Sequence, residues 1–149
     1  MGGVELTTNQ KGSIAEAMIA AEAIRLGVGV LKPLNDGLRY DLVFDLRPRL
    51  LRVQCKWALE RGGVVQVRCR TCRRGRDGFV RTCYSAEEVD AIAAHCPDSD
   101  KCYLLPIAKF AGRTMVLLRL SPSRNNQQKG VHWAKDYEFG ATLTRLVGP

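Results

Sequence analysis

The sequence predicts an α/β fold in which a central mixed sheet is flanked by helices, and three observations carry that prediction. Residues 9–26 form a Pro-free segment rich in Ala, Ile, Met and Glu that stops at Gly27, the composition and stop signal of a helix. Short runs of β-branched and aliphatic residues follow, parted by Gly, Pro, Asn and Asp, and these read as strands. At 149 residues and 46% hydrophobic content the chain suffices for one domain, 1–149, with one core, and is short for two.

On a helical projection of roughly 100° per residue, Lys11, Glu22 and Arg25 fall along one solvated edge. Glu16 falls on the side of Gly12, Ile19, Ala20 and Ala23. A carboxylate on a face of small residues is costly to bury unless a cation or donor meets it. Glu16 is therefore either a functional group turned inward or a partly exposed helix glutamate. Ile14 and Met18, near the solvated edge, are a candidate contact with a second subunit.

Strand-like runs occupy 28–34, 40–46, 50–58 and 64–70; Arg73 to Gly78 reads as a turn, with 79–84 returning beside the fourth run. Ser85 and Glu88 have capping-box spacing, which predicts a helix from 85 to about 95, ended by Pro97. Residues 102–107 and 115–120 are two more strands. A polar loop at 121–130 precedes an aromatic terminus with Trp133, Tyr137 and Phe139, a second candidate interface.

Charge narrows the partners. Lys and Arg number 23 against 15 Asp and Glu, a net charge of +8, which suits nucleic acid best. No uncharged apolar run approaches the roughly 18–20 residues of a membrane span, and residues 1–10 lack the basic and apolar regions of a signal peptide. The expectation is a cytoplasmic, nucleoid-associated protein without membrane contact. In that compartment the six cysteines stay reduced. Cys69 and Cys72 have CxxC spacing, so a zinc staple completed by Cys83, Cys96, Cys102, His95 or His132 stands beside the plainer reading of small apolar thiols.

The chemistry lies in two adjacent strands. Alternation puts Arg52, Gln54 and Lys56 on one face, and Asp41, Val43 and Asp45 on one face of the preceding strand. A short connection makes these strands neighbours, so Asp41 can sit beside Gln54 and Lys56. Oxygen donors on such a scaffold suit Mg²⁺, which polarises a phosphate and supplies an activated water. Asp41, Gln54, the Cys55 backbone carbonyl and Glu16 are the candidate ligands, with Mn²⁺ as substitute. Lys56 is placed to lower the pKa of the attacking water or to stabilise developing charge. A solvated sheet edge with an incidental ion pair is the alternative.

Asp41 with Gln54-Cys55-Lys56, preceded by Lys11-Gly12 and Glu16, resembles a PD-(D/E)XK nuclease. Asn9-Gln-Lys-Gly12, Arg39-Tyr-Asp-Leu-Val43, Arg52-Val-Gln-Cys-Lys56, Tyr84-Ser-Ala-Glu-Glu88, Cys96-Pro-Asp-Ser-Asp-Lys-Cys-Tyr103 and Asn125-Asn126-Gln127 together resemble the bacterial group I intron-associated members, some of them homing endonucleases. The resemblance implies a restriction-endonuclease-like core and Mg²⁺-dependent cleavage of double-stranded DNA. It matches Asp41 to the metal-binding aspartate, Gln54 to the position usually Glu or Asp, Lys56 to the lysine and Glu16 to the helix glutamate. Tyr40 stands where the wider pattern has proline.

From Arg68 to Arg81 there are six arginines (Arg68, Arg70, Arg73, Arg74, Arg76, Arg81) against Asp77, so a basic β-hairpin is expected to grip DNA. Gln66, Arg68 and Arg70 share a strand face that can read bases in a major groove; the turn arginines and Lys11 suit phosphates. Cutting both strands with one site per chain calls for a homodimer or homotetramer. A Holliday junction resolvase-like or repair nuclease, and a catalytically inactive DNA-binding module, are the alternatives.

Overall fold

A computed structural model of the chain describes residues 3–122, 125 and 129–147, the side chains of 71–75, 79–81 and 147 excepted. Helix α1 (Thr8–Arg25) starts where Thr7 and Gln10 cap each other. The Gln10 N–H donates to Thr7 Oγ1 at 3.2 Å and the Thr7 N–H to Gln10 Oε1 at 2.9 Å, satisfying donors that a helix start leaves without partners. Gly27, at φ 85°, turns the chain out of the helix.

Strands β1 (Gly29–Leu31), β2 (Leu42–Asp45), β3 (Leu50–Trp57), β4 (Leu59–Arg61), β5 (Val64–Arg68), β6 (Arg70–Gly75) and β7 (Gly78–Cys83) follow. Then come β8 (Ala91–Cys96), β9 (Lys101–Pro106), α2 (Ile107–Phe110), β10 (Met115–Arg119), β11 (His132–Trp133), a 3₁₀ turn (Ala134–Tyr137) and α3 (Phe139–Val147). The central sheet has the order β1-β2-β3-β8-β9, a second sheet the order β11-β10-β5-β4, and β6 pairs with β7 as a separate ribbon. The central sheet is mixed: β3 runs parallel to β8 and every other pairing in it is antiparallel.

Each face of that sheet buries its own core. On one side Ala15, Ile19 and Ala23 of α1 and Phe139 and Leu143 of α3 pack on Phe44, Leu51, Val53 and Ala93. On the other, Val65, Val67, Val116 and Leu118 of the second sheet meet Ile92, Ala94, Tyr103 and Leu105, with Ile107 and Phe110 of α2.

Residues 85–95 do not form the expected helix. The Ser85 hydroxyl does meet Glu88 Oε1 at 3.1 Å and the Val89 N–H bonds the Ser85 carbonyl, but this makes a single turn. Asp90 is then held by Arg52: the Arg52 N–H and Nε donate to Asp90 Oδ2 at 2.8 and 3.0 Å, and the Asp90 N–H donates to the Arg52 carbonyl at 2.9 Å. That clamp turns the chain into β8, buried at all six residues, as a strand covered on both faces must be. Burial overrides the helix propensity of alanine.

The strand expected at 64–70 breaks at Cys69, whose side chain is buried and whose N–H donates to the Thr114 carbonyl. Gln66 and Arg68 therefore belong to the second sheet and Arg70 opens the ribbon, so the three do not share one strand. The turn expected from Arg73 to Gly78 is shorter, since β6 continues to Gly75 and β7 begins at Gly78. Strand β4 was not anticipated; it pairs with β5 through Gly62 and Gly63, both at positive φ, and a Cβ on Gly63 would lie 2.3 Å from Ser121 Oγ. Tyr137 and Phe139 lie in the core, and the Phe110, His132 and Tyr137 rings meet edge to face. Those aromatics are spent on packing rather than offered to a second subunit. The loop expected at 121–130 lies partly outside the described residues.

Burial pushes the Asp90 carboxyl up, but the Arg52 guanidinium and N–H outweigh it and hold the group below its ordinary range. A carboxyl depressed by folding stabilises above its unfolded pKa, and that contribution disappears as pH falls through the folded value. Asp90→Asn is expected to lose about 1–3 kcal/mol at neutral pH, with the deficit shrinking in acid, as read by urea unfolding at pH 7 and pH 3.

Candidate functional site

The site is built on an edge. Strand β2 pairs with β3 only from Leu42 opposite Val53 to Asp45 opposite Leu50, while β3 runs on to Trp57. Asp41, just before β2, turns back over the uncovered stretch: its N–H donates to the Val53 carbonyl and its Oδ2 accepts the Cys55 N–H, both at 2.9 Å. Backbone groups alternate sides along a strand, so the Cys55 carbonyl points to the same open edge, while the Cys55 thiol is buried toward α1. Gln54 and Lys56 lie on the opposite face of β3, both half-buried. Arg52, in the same row, is committed to Asp90 and to the Glu87 and Ala86 carbonyls.

Glu16 is turned partly inward, its side chain 26% exposed, and Lys32 Nζ meets its Oε1 at 2.5 Å. Glu16 and Asp41 line one cleft of about 130 Å³ with Lys32, Asp36 and Tyr40. Burial raises the Asp41 carboxyl, and the charge of Glu16 adds to it against the opposing pull of the Cys55 N–H, Lys56 and Lys32. Burial lowers the Lys56 ammonium, with Asp41 opposing. Its Nζ donates to the Arg70 carbonyl at 3.1 Å and stands 5.1 Å from the centre of the Tyr84 ring.

Asp41 thus feels the charges of both Glu16 and Lys56, and the Cys55 carbonyl lies on the strand stretch beside it. The donors are carboxylate and carbonyl oxygens, the set a hard divalent cation accepts. The raised Asp41 carboxyl is a crowded anion short of positive charge, which such an ion supplies. Asp41 and Glu16 share the cleft where such an ion could be held, with the Cys55 carbonyl at the same edge, whereas Gln54 is not among the residues that line that cleft.

Beside this edge runs a groove of about 430 Å³, lined by Lys11 of α1, Cys55, Lys56 and Trp57 of β3, and Gln66 and Arg68 of β5. The fold thereby brings Lys11, Gln66 and Arg68 to the site instead of placing the last two on the ribbon. Arg76 is exposed at the ribbon's tip; the side chains of Arg73, Arg74 and Arg81 lie outside the described residues. Cys69 is buried. Burial raises its thiol to about 11 and it donates to the Val67 carbonyl, while the Cys72 side chain lies outside the described residues. Among the described residues a separate group that could meet around a metal is Glu60, Cys96 and Asp98, remote in chain position from the carboxylates above.

Residues 6–140 match the family model of the PD-(D/E)XK endonucleases. The chain belongs to the PD-(D/E)XK endonuclease family. Among solved structures it is similar to a bacterial homing endonuclease, I-Ssp6803I, at 30% identity and a TM-score of 0.74 over 93% of each chain. Among curated proteins none matches. The fold of this PD-(D/E)XK protein is thus homing-endonuclease-like, and no helix among its described residues is long and apolar enough to cross a membrane.

Lys32 and Arg39 were not singled out from the sequence. Lys32 follows a three-residue strand with no spacing that ties it to Glu16, and Arg39 stood only inside a resembling motif. A carboxyl raised by folding favours the protonated state, so its charged form destabilises the fold once pH exceeds the folded value. Asp41→Asn is therefore expected to raise the melting temperature of metal-free protein at neutral pH. The gain should vanish as pH falls into the carboxyl range, which calorimetry at the two pH values checks.

Proposed function

We propose that this chain is a divalent-metal-dependent endonuclease that hydrolyses double-stranded DNA at a long, specific site, in the manner of a homing endonuclease, with Mg²⁺ as the ion and Mn²⁺ as substitute. The observation that carries the reading is the Asp41 carboxylate seated on the Cys55 N–H at the open edge of β3, with Glu16 in the same cleft and Lys56 one residue on. A bound divalent cation supplies charge that offsets the phosphate and lowers the pKa of water. Asp41, Glu16, Gln54 and the Cys55 carbonyl would hold it. Lys56, its ammonium lowered by burial, lowers the pKa of the attacking water by its charge or stabilises negative charge developing on the phosphate oxygens. Water oxygen bonds to phosphorus as it gives up one proton, the bond to the leaving oxygen breaks, and that oxygen takes up a proton, so the proton count is unchanged.

The net charge of +8 and the groove cations Lys11 and Arg68 support a DNA substrate. Cutting both strands takes two copies, which supports a homodimer or homotetramer; Ile14 and Met18 are half-buried on α1 and remain available for such a contact. The likeness to a bacterial homing endonuclease over 93% of each chain supports reading this one as homing-endonuclease-like.

Two tests follow. Lys56→Ala is expected to lower Mg²⁺-dependent cleavage of a randomised duplex library by about 10²–10³-fold, with binding in Ca²⁺ retained; full cleavage by the variant would remove the proposed site. Replacing Arg73, Arg74 and Arg76 by Ala should weaken binding to every duplex and flatten the plot of log affinity against log salt by up to about 2.7, since each phosphate contact contributes about 0.9. An unchanged slope would show that the ribbon is not the phosphate grip.

A further inference from the structure

The root of the β6–β7 ribbon meets the strand that carries the proposed catalytic lysine at one joint. Arg70 and Cys83 stand directly opposite each other as the first rung of the ribbon. The carbonyl of one accepts Lys56 Nζ and the carbonyl of the other accepts Arg39 Nη2, each at 3.1 Å. Both cations sit on one ring: the Arg39 guanidinium lies 4.3 Å and Lys56 Nζ 5.1 Å from the centre of Tyr84. Arg39 is held in turn by Glu88, whose Oε2 accepts its Nε at 2.6 Å.

Tyr84 is 1% exposed, and its hydroxyl has no hydrogen-bond partner among the described residues. A buried tyrosine normally uses its hydroxyl. Here the ring is the part in use, since its π system attracts the two cations. The two cations repel one another, and the ring face and the two carbonyls are what let them share the space.

We propose that Tyr84 and Arg39 are positioning residues that fix Lys56 through the ribbon root, so that the seating of the ribbon on DNA is transmitted to the cleavage step as well as to binding. The inference rests on the reading of Lys56 as a cleavage residue. It assigns the ring of Tyr84, not its hydroxyl, the positioning role. A small displacement of a reacting group can lower a rate on the order of 10²-fold, so the joint need move little to matter. Coupling of this kind is reciprocal in equilibrium terms: if the root holds Lys56, Lys56 holds the root.

The test uses Tyr84→Phe, Tyr84→Leu, Arg39→Met and Lys56→Met with two readouts. In single-turnover cleavage at saturating protein, Tyr84→Leu and Arg39→Met should slow the rate by about 10–100-fold while half-saturation shifts less than about twofold. Tyr84→Phe should match the parent. In hydrogen exchange on metal-free protein, Tyr84→Leu, Arg39→Met and Lys56→Met should each speed exchange in peptides spanning the Arg70–Cys83 rung, and Tyr84→Phe should not.

Arg39 is half-buried and its replacement leaves the core intact, so it decides the matter if Tyr84→Leu fails to fold. Unchanged exchange in Arg39→Met and Lys56→Met overturns the joint, and a Tyr84→Phe variant as slow as Tyr84→Leu overturns the role of the ring. Faster exchange with an unaltered cleavage rate overturns the transmission to Lys56. A parent that cuts no DNA refutes the nuclease reading instead and with it the transmission to cleavage, while exchange still decides whether the joint exists.

Discussion

One hydrogen bond organises the site: the Asp41 carboxylate on the Cys55 N–H. Because β2 stops pairing at Leu42 while β3 runs on to Trp57, β3 would otherwise present bare backbone groups, the liability of any strand edge. Asp41 covers one of them and is fixed by it. One oxygen is thereby used in structure, and the other is left at an edge where a backbone carbonyl also points. The length mismatch between two strands is what leaves the Asp41 carboxylate and the Cys55 carbonyl together at one open edge.

The same arrangement works against the stability of the metal-free fold. Glu16 and Asp41 face one small cleft, and burial with mutual repulsion raises the Asp41 carboxyl. Lys32 offsets part of this through its ion pair with Glu16, yet its side chain is 71% exposed, so solvent screens the pair and its contribution is small. Lys56 is bent away to the Arg70 carbonyl and the Tyr84 ring, close enough to act on Asp41 by charge without neutralising it. In the proposed reading, such residual strain in the charge balance is what a bound cation would relieve.

How much of this was legible in the sequence varies with the kind of signal. The row Gln54 and Lys56 with Asp41 opposite was readable because side chains alternate along a strand and a short connection fixes the neighbour. The inward turn of Glu16 followed from helical geometry in the same way. Strand β8 was not readable: Ala91, Ala93 and Ala94 favour a helix locally, and only burial between β3 and β9 makes them a strand. The break at Cys69 was hidden for a related reason, since the backbone bond to Thr114 that separates β5 from β6 comes from a segment 45 positions away. Local periodicity reports which way a side chain points, whereas the partner of a backbone group is set by the whole fold.

That break changes what the basic segment means. Read as one continuous hairpin, its charge forms a single arm. Divided at Cys69, it becomes two bodies with different mechanics. Arg68 and Gln66 sit on β5, held between β4 and β10, and face the groove that holds Lys56 and Lys11. In the proposed reading, charges on such a fixed scaffold lose little freedom when they meet a phosphate, so they suit alignment of the DNA backbone beside the Asp41 edge. The ribbon joins the rest at its first rung, where Arg39 and Lys56 bind opposing carbonyls. A partner that bears on the ribbon bears on that rung, and the rung shares its ring and its cations with β3. In the proposed reading, recognition at the ribbon and alignment in the groove therefore meet at one side chain, Lys56, and agreement between them is a condition the geometry imposes on cutting.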